Sequence, residues 1–229
     1  MEPLQIALVI AGAYLIGAVP SAYWLGRLVK GIDIRRYGSG NVGSSNFATH
    51  VGKKWGVPLV LFDVIVKGAL PVLIASDKAL GLGLWVEVFA GLAAIVGHNW
   101  SVFIGFSGGR GMATVLGSSG ALSLPLCAIY NFTALGVWLA TGRRDSAVAW
   151  AAAALSLPFA SLALRLPVAV TTFCALFVIV TGLKRVTSNF RNPAYASSGD
   201  RPTWRLVVNR LMFDRDTERK EDWVGRGPG

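Results

Sequence analysis

Charged side chains are scarce in this chain. Asp, Glu, Lys and Arg make up 15% of its 229 residues, against about 25% in a soluble domain. Hydrophobic types reach 53% and the mean hydropathy is +0.54. That balance excludes a disordered chain and argues against an ordinary water-soluble enzyme, because long stretches have no charged surface to offer water. Acids are scarcer than bases, 12 against 22, for a net charge of +10. Most of the chain is nevertheless too apolar to display a basic face to nucleic acid. Of only two cysteines, Cys127 and Cys174 both sit in apolar runs, where a thiol behaves as a small hydrophobe. They point to neither a disulfide framework nor a metal site. What remains is an integral membrane protein.

A spanning helix needs about 20 mainly apolar residues. The first candidate covers about 4–28, with no charge between Glu2 and Arg27, and is too long for a signal-peptide core. Arg27, Lys30, Arg35 and Arg36 follow it, so the positive-inside rule places the N-terminus outside and the first loop in the cytoplasm. Further apolar segments cover about 56–75 and 80–106. The run at 112–141 is too long for one span, and Pro125 divides it into two short helices that dip in and return. Segments at about 147–164 and 167–183 complete the set, with Arg143 and Arg144 at a cytoplasmic turn and Lys184 and Arg185 closing the last helix. The expectation is an all-α polytopic protein of seven transmembrane helices, N-terminus outside and C-terminus cytoplasmic. Residues 1–188 form the membrane domain and 189–229 a basic cytoplasmic extension. From Lys184 onward there are ten basic and six acidic residues. The leading reading is a loosely ordered cytoplasmic extension; the alternative is an amphipathic stretch with Trp204, Leu206, Val207, Leu211, Met212 and Phe213 that suits the anionic inner leaflet. No internal repeat is visible.

Two glycine-rich loops are predicted on one membrane face. The first reads Tyr37-Gly-Ser-Gly-Asn-Val-Gly-Ser-Ser-Asn46. Its glycines let successive N–H groups converge, and Ser39, Ser44, Ser45, Asn41 and Asn46 add donors that suit a phosphate. The second reads Gly105-Phe-Ser-Gly-Gly-Arg-Gly-Met-Ala-Thr114, with a helix starting directly afterwards. Arg110 offers a planar fork to phosphate oxygens, and the helix offers free N–H groups. Walker A spacing is absent. Either loop alone is also consistent with a plain interhelical connection. His98, late in the third segment, is either a packing residue or a base. Asp63 and Lys67, four apart, share a helix face as in an ion pair, and intramembrane charges are functional candidates. Glu87 lies near the outer end of its segment.

Taken together, three stretches resemble a known family. They are residues 37–47 followed by Gly-Lys-Lys at 52–54, Phe-Asp-Val-Ile-Val-Lys-Gly-Ala-Leu-Pro at 62–71, and Gly-His-Asn-Trp-Ser-Val-Phe-Ile-Gly-Phe-Ser-Gly-Gly-Arg-Gly-Met-Ala-Thr at 97–114. In order and spacing they are similar to the bacterial membrane acyl-phosphate:glycerol-3-phosphate acyltransferases (PlsY-type), over about residues 10–190. The resemblance implies transfer of a fatty acyl group from acyl phosphate to the 1-hydroxyl of glycerol 3-phosphate, giving lysophosphatidic acid and phosphate. It further implies a multi-pass enzyme of the bacterial cell membrane with its site on the cytoplasmic face, no metal and no cofactor. The expected partners are the two substrates and the bilayer, not nucleic acid.

The resemblance carries departures. Thr49 stands where the family usually has arginine, Ser45 where it has threonine, and Ser107 where it has lysine; Arg110 replaces a second lysine. Of the cluster that follows the last helix in the family, Asn189 alone remains. A catalytically degenerate paralog that binds or regulates phospholipid precursors is therefore the alternative reading, and a small transporter a further one. The residues expected to act directly are Ser39, Asn41, Ser45 and Arg110. Gly40, Gly43, Asn46, Gly108, Gly109, Gly111 and Asn189 are expected to bind substrate phosphate, with His98, Thr114 and Arg191 as further candidates.

Overall fold

The computed structural model describes residues 3–142, 145–187 and 204–215. Asn189 and Arg191 therefore lie outside the described residues. Among the described residues every regular element is helical. Helix α1 (Pro3–Ala18) and α2 (Ser21–Lys30) replace the single helix expected over 4–28. Pro20 lies at the break between them, since its ring removes a donor and clashes with the preceding turn. After α3 (Ser44–His50), a continuous helix runs through α4 (Lys53–Phe62), a π-helical segment (Asp63–Ala69) and α5 (Leu70–Ala75). The third apolar segment is helical only as α6 (Leu84–Asn99). Beyond it the chain makes a tight hairpin in which the Ser101 N–H donates to the Ser107 carbonyl at 2.9 Å.

Helices α7 (Met112–Leu122) and α8 (Leu124–Ala140) part at Ser123, with Pro125 in the first turn of α8. The long run is thus divided as its proline implied. The 11 residues of α7 rise about 16 Å, roughly half the hydrocarbon thickness. Helices α9 (Ser146–Ala163) and α10 (Val168–Thr187) follow. Among the described residues four stretches are long and apolar enough to cross a membrane: Pro3–Lys30, Lys53–Ala75, Ser146–Ala163 and Val168–Thr187. The shorter α6, α7 and α8 account for the other apolar segments. Large apolar side chains such as Leu124 (75%), Phe132 (71%) and Phe159 (73%) are mostly exposed, an exterior suited to lipid rather than water.

Small residues bring the helices together. A Cβ on Gly17 would strike the Ala94 backbone and one on Gly97 the Tyr14 carbonyl, so α1 and α6 cross backbone to backbone. Gly117 of α7 likewise lies on the Val64 carbonyl of the π-helical segment, where the Ser118 hydroxyl donates to the Gly68 carbonyl at 3.0 Å. The largest core cluster, with Tyr130, Phe173, Phe177 and Leu157, ties α6–α10 together.

Within the extension, residues 204–215 are the ones described. Residues Trp204–Phe213 form a helix, α11, that packs on α9 and α10.

Candidate active site

The Asn46 amide ties the first loop together. Asn46 Nδ2 donates to the carbonyls of Ile34, Tyr37 and Asn41 at 3.3, 3.0 and 3.1 Å. That nitrogen is committed to shaping the loop, although the residue also lines a cavity. Gly38 and Gly40 adopt φ of +51° and +66°, values that a Cβ disfavours. At the entrance to the loop Asp33 accepts from the Arg35 backbone and guanidinium, the shortest contact being 2.7 Å. Burial alone would raise the Asp33 carboxyl, but the Arg35 hydrogen bonds hold it below its ordinary value.

The two glycine-rich loops touch. The Val42 N–H donates to the Gly108 carbonyl at 3.3 Å, and the Gly109 N–H to the His98 carbonyl at 2.9 Å. Gly108 lies on the backbone of His98 and Asn99, Gly109 on the His98 imidazole, and Gly111 opens α7 at φ +73°. Side chains at 108 and 109 would collide with what lies beneath, so these glycines permit the close approach.

Two cavities meet at this junction. The first, about 290 Å³, has a polar floor of Ser39, Asn41, Ser44, Ser45 and Asn46 with Gly43. Its walls include Asp63, His98, Arg110 and the first residues of α7, while Asp145, Ser146 and Trp150 of the α9 start close one side. Arg185, Phe213, Asp214 and Arg215 complete it. The second, about 330 Å³, is lined by Ser39, Gly40, Asn41, Ser107, Gly108, Arg110, Lys184 and Thr187, with an apolar wall of Trp100, Phe106 and Leu183. Ser39, Asn41 and Arg110 line both cavities and form the partition between them.

Arg110 is 5% exposed, and its Nε donates to Asp214 at 2.6 Å. Its Nη2 is buried without a partner. Arg215 pairs with Asp145 at 2.6 Å, and Asp145 also caps α9 by accepting from the Ala147 N–H at 3.0 Å. Arg185 donates to the Leu211 and Ala147 carbonyls at 2.6 and 3.1 Å. Lys184 Nζ lies 5.1 Å from the centre of the Trp100 ring. The sequence-predicted ion pair is present: Lys67 and Asp63 are 2.6 Å apart and buried, with the Ser21 hydroxyl donating to Asp63 and accepting from Lys67. His50, also on the first cavity, has a buried Nε2 with no partner. Burial, then the charge of Lys30, pushes its imidazole below the usual histidine value.

The structure therefore brings Ser39, Asn41, Ser45, Asn46, Gly43, His98, Arg110 and Gly111 to the first cavity, and Gly40 and Gly108 to the second. Gly109 supports the loop from behind. Thr114 lines neither cavity. It is fully buried where α7 meets the π-helical segment, with its backbone carbonyl against Gly68. Thr49 and Ser107 fall on different cavities. Sequence reasoning missed Asp145, Trp150, Asp214 and Arg215. Asp145, directly before an apolar run, carried an N-cap signal; the pair at 214 and 215 carried none.

Among the described residues, an all-helical body with a lipid-compatible exterior and two adjoining cavities that share the buried Arg110 defines an integral membrane protein with a site lined by polar and charged groups. The chain belongs to the glycerol-3-phosphate acyltransferase family, whose model matches residues 7–191. It is 38% identical over 234 residues to glycerol-3-phosphate acyltransferase 5 of Dehalococcoides mccartyi, covering 99% of this chain and 95% of that protein. To the glycerol-3-phosphate acyltransferase of Aquifex aeolicus it is 46% identical over 127 residues, covering 56% and 62%. Among solved structures, the integral membrane glycerol 3-phosphate acyltransferase PlsY in its glycerol 3-phosphate form superposes with a TM-score of 0.73 at 33% identity, covering 79% of this chain and 88% of that one. The lysophosphatidic acid form of PlsY gives 0.71 at 32% identity.

Proposed function

We propose that this chain transfers a fatty acyl group from acyl phosphate to the 1-hydroxyl of glycerol 3-phosphate, releasing lysophosphatidic acid and inorganic phosphate. The carrying observation is the partition of Ser39, Asn41 and Arg110 between two cavities, which lets one set of donors face two phosphate-bearing substrates. The first, more polar cavity suits glycerol 3-phosphate. The second, with Trp100, Phe106 and Leu183 on its wall, suits the phosphate end of an acyl phosphate whose chain lies in lipid. The hydroxyl oxygen attacks the acyl carbonyl, the bond from that carbon to the phosphate oxygen breaks, and phosphate leaves with the electron pair. The hydroxyl proton passes to a substrate phosphate oxygen. The protein acts by positioning and by stabilising charge, through Arg110, Ser39, Asn41 and the N–H groups that open α7.

Arg185 at the first cavity and Lys184 at the second supply cations despite Thr49 and Ser107, which favours an enzyme over a degenerate binder. The same reading places the protein in a bacterial cell membrane with both loops on the cytoplasmic face. The test is phosphate release from palmitoyl phosphate by the purified protein in lipid. Release should require glycerol 3-phosphate, and Arg110→Ala should cut it at least about a hundred-fold, Arg110→Lys less. Absence of release by the wild type would favour the binding paralog.

A further inference from the structure

The geometry points to Asp214 as a positioning residue of the acyl transfer: α11 carries it back over the site, where its carboxylate fixes the guanidinium of Arg110. This rests on the reading of Arg110 as a phosphate ligand. The segment is seated by contacts that do not involve Arg110. Arg210 Nη1 donates to the Val186 carbonyl at 2.9 Å, Arg185 donates to the Leu211 carbonyl at 2.6 Å, and Arg215 pairs with Asp145 at 2.6 Å. Asp214 itself sits in the left-handed region, φ +53°, a conformation uncommon for a residue with a side chain. That turn ends α11 and sends two successive side chains, 214 and 215, into two ion pairs on the same cavity.

Arginine has several rotatable bonds, and Arg110 borders open space in both cavities. The carboxylate at 2.6 Å on Nε removes that freedom. It leaves Nη2 buried and unpartnered, a state that costs free energy until an acceptor arrives. A substrate phosphate oxygen is such an acceptor. A carboxylate acting as a plug would instead satisfy the terminal donors of the fork.

The experiment is a double-mutant cycle in lipid, using the full chain, with turnover of palmitoyl phosphate and glycerol 3-phosphate as one readout. The second is the rise in melting temperature produced by inorganic phosphate. Asp214→Ala should lower kcat/KM by about 10- to 100-fold, the range expected for a charged hydrogen bond, and Asp214→Glu should recover most of it. In an Arg110→Ala background Asp214→Ala should have no further effect, because it acts through that arginine. Asp214→Ala should also shrink the stabilisation by phosphate. Higher activity in Asp214→Ala would make the contact autoinhibitory and overturn the proposal. So would an equal loss in both backgrounds, which is the mark of a purely structural role. If the wild type turns nothing over but phosphate stabilises it in an Asp214-dependent way, Asp214 still orients Arg110 toward phosphate, while its part in acyl transfer falls with the acyltransferase reading.

Discussion

Lys67→Met tests the buried ion pair at the base of the first cavity. The methionine fills most of the lysine volume, so packing is kept and the charge alone is lost. Asp63 then stays buried, at 2% exposure, with the Ser21 hydroxyl as its remaining donor at 3.1 Å. Stranding one partner of a buried pair costs about 3–5 kcal/mol. For a chain of this size each kcal/mol lowers the melting temperature by about 2–4 °C, so the expected drop is roughly 6–20 °C. Asp63 also lines the cavity assigned to glycerol 3-phosphate, and its unbalanced charge should repel that dianion and raise its KM. Adding Asp63→Asn to Lys67→Met removes the stranded charge and leaves an amide that Ser21 can still serve. More than half of the lost stability should return, and the KM should fall back. Thermal unfolding in detergent and substrate titration in lipid read both effects. A Lys67→Met protein melting within about 2 °C of the wild type, or a double variant no better than the single, would refute the reasoning.

Two other outcomes are expected. His50 titrates below its ordinary value of about 6.5, so the unfolded chain binds that proton more readily. Its contribution is therefore destabilising as pH falls through and below about 6.5 and absent above it. His50→Phe should flatten the fall in melting temperature between about pH 7 and pH 5, and an unchanged slope would count against the burial of His50. Thr49→Arg and Ser107→Lys should act on different substrates, since the two residues line different cavities. The first should lower the KM for glycerol 3-phosphate and the second change only that for acyl phosphate, as separate titrations would reveal.

Apolar runs are one-dimensional signals, which is why each predicted segment contains a helix and the long run at 112–141 divides near Pro125. Helix ends were less legible. The break at Pro20 was hidden inside an unbroken apolar run, and the π-helical segment has no marker in Asp63–Ala69. The glycine-rich loops were readable because tight turns and close approaches restrict residue type. Which residue serves which purpose was not: Asn46 was expected to hold phosphate, yet its nitrogen is spent on three carbonyls. Thr114 belonged to the predicted site but is fully buried and lines neither cavity. Least legible were contacts closed across the chain. Arg110 meets Asp214 over a separation of 104 residues and Asp145 meets Arg215 over 70, and no local pattern encodes either.

That separation gives the ion pair a place in time. A ribosome adding about 5–20 residues per second needs roughly 5–20 s to travel the 104 residues from Arg110 to Asp214. Throughout that interval the arginine has been made while its carboxylate has yet to be synthesised. Any helix that enters the membrane within that window does so without the contact, which forms only once α11 has been made. A nascent chain arrested within that window would hold both glycine-rich loops and still lack the group that orients their arginine.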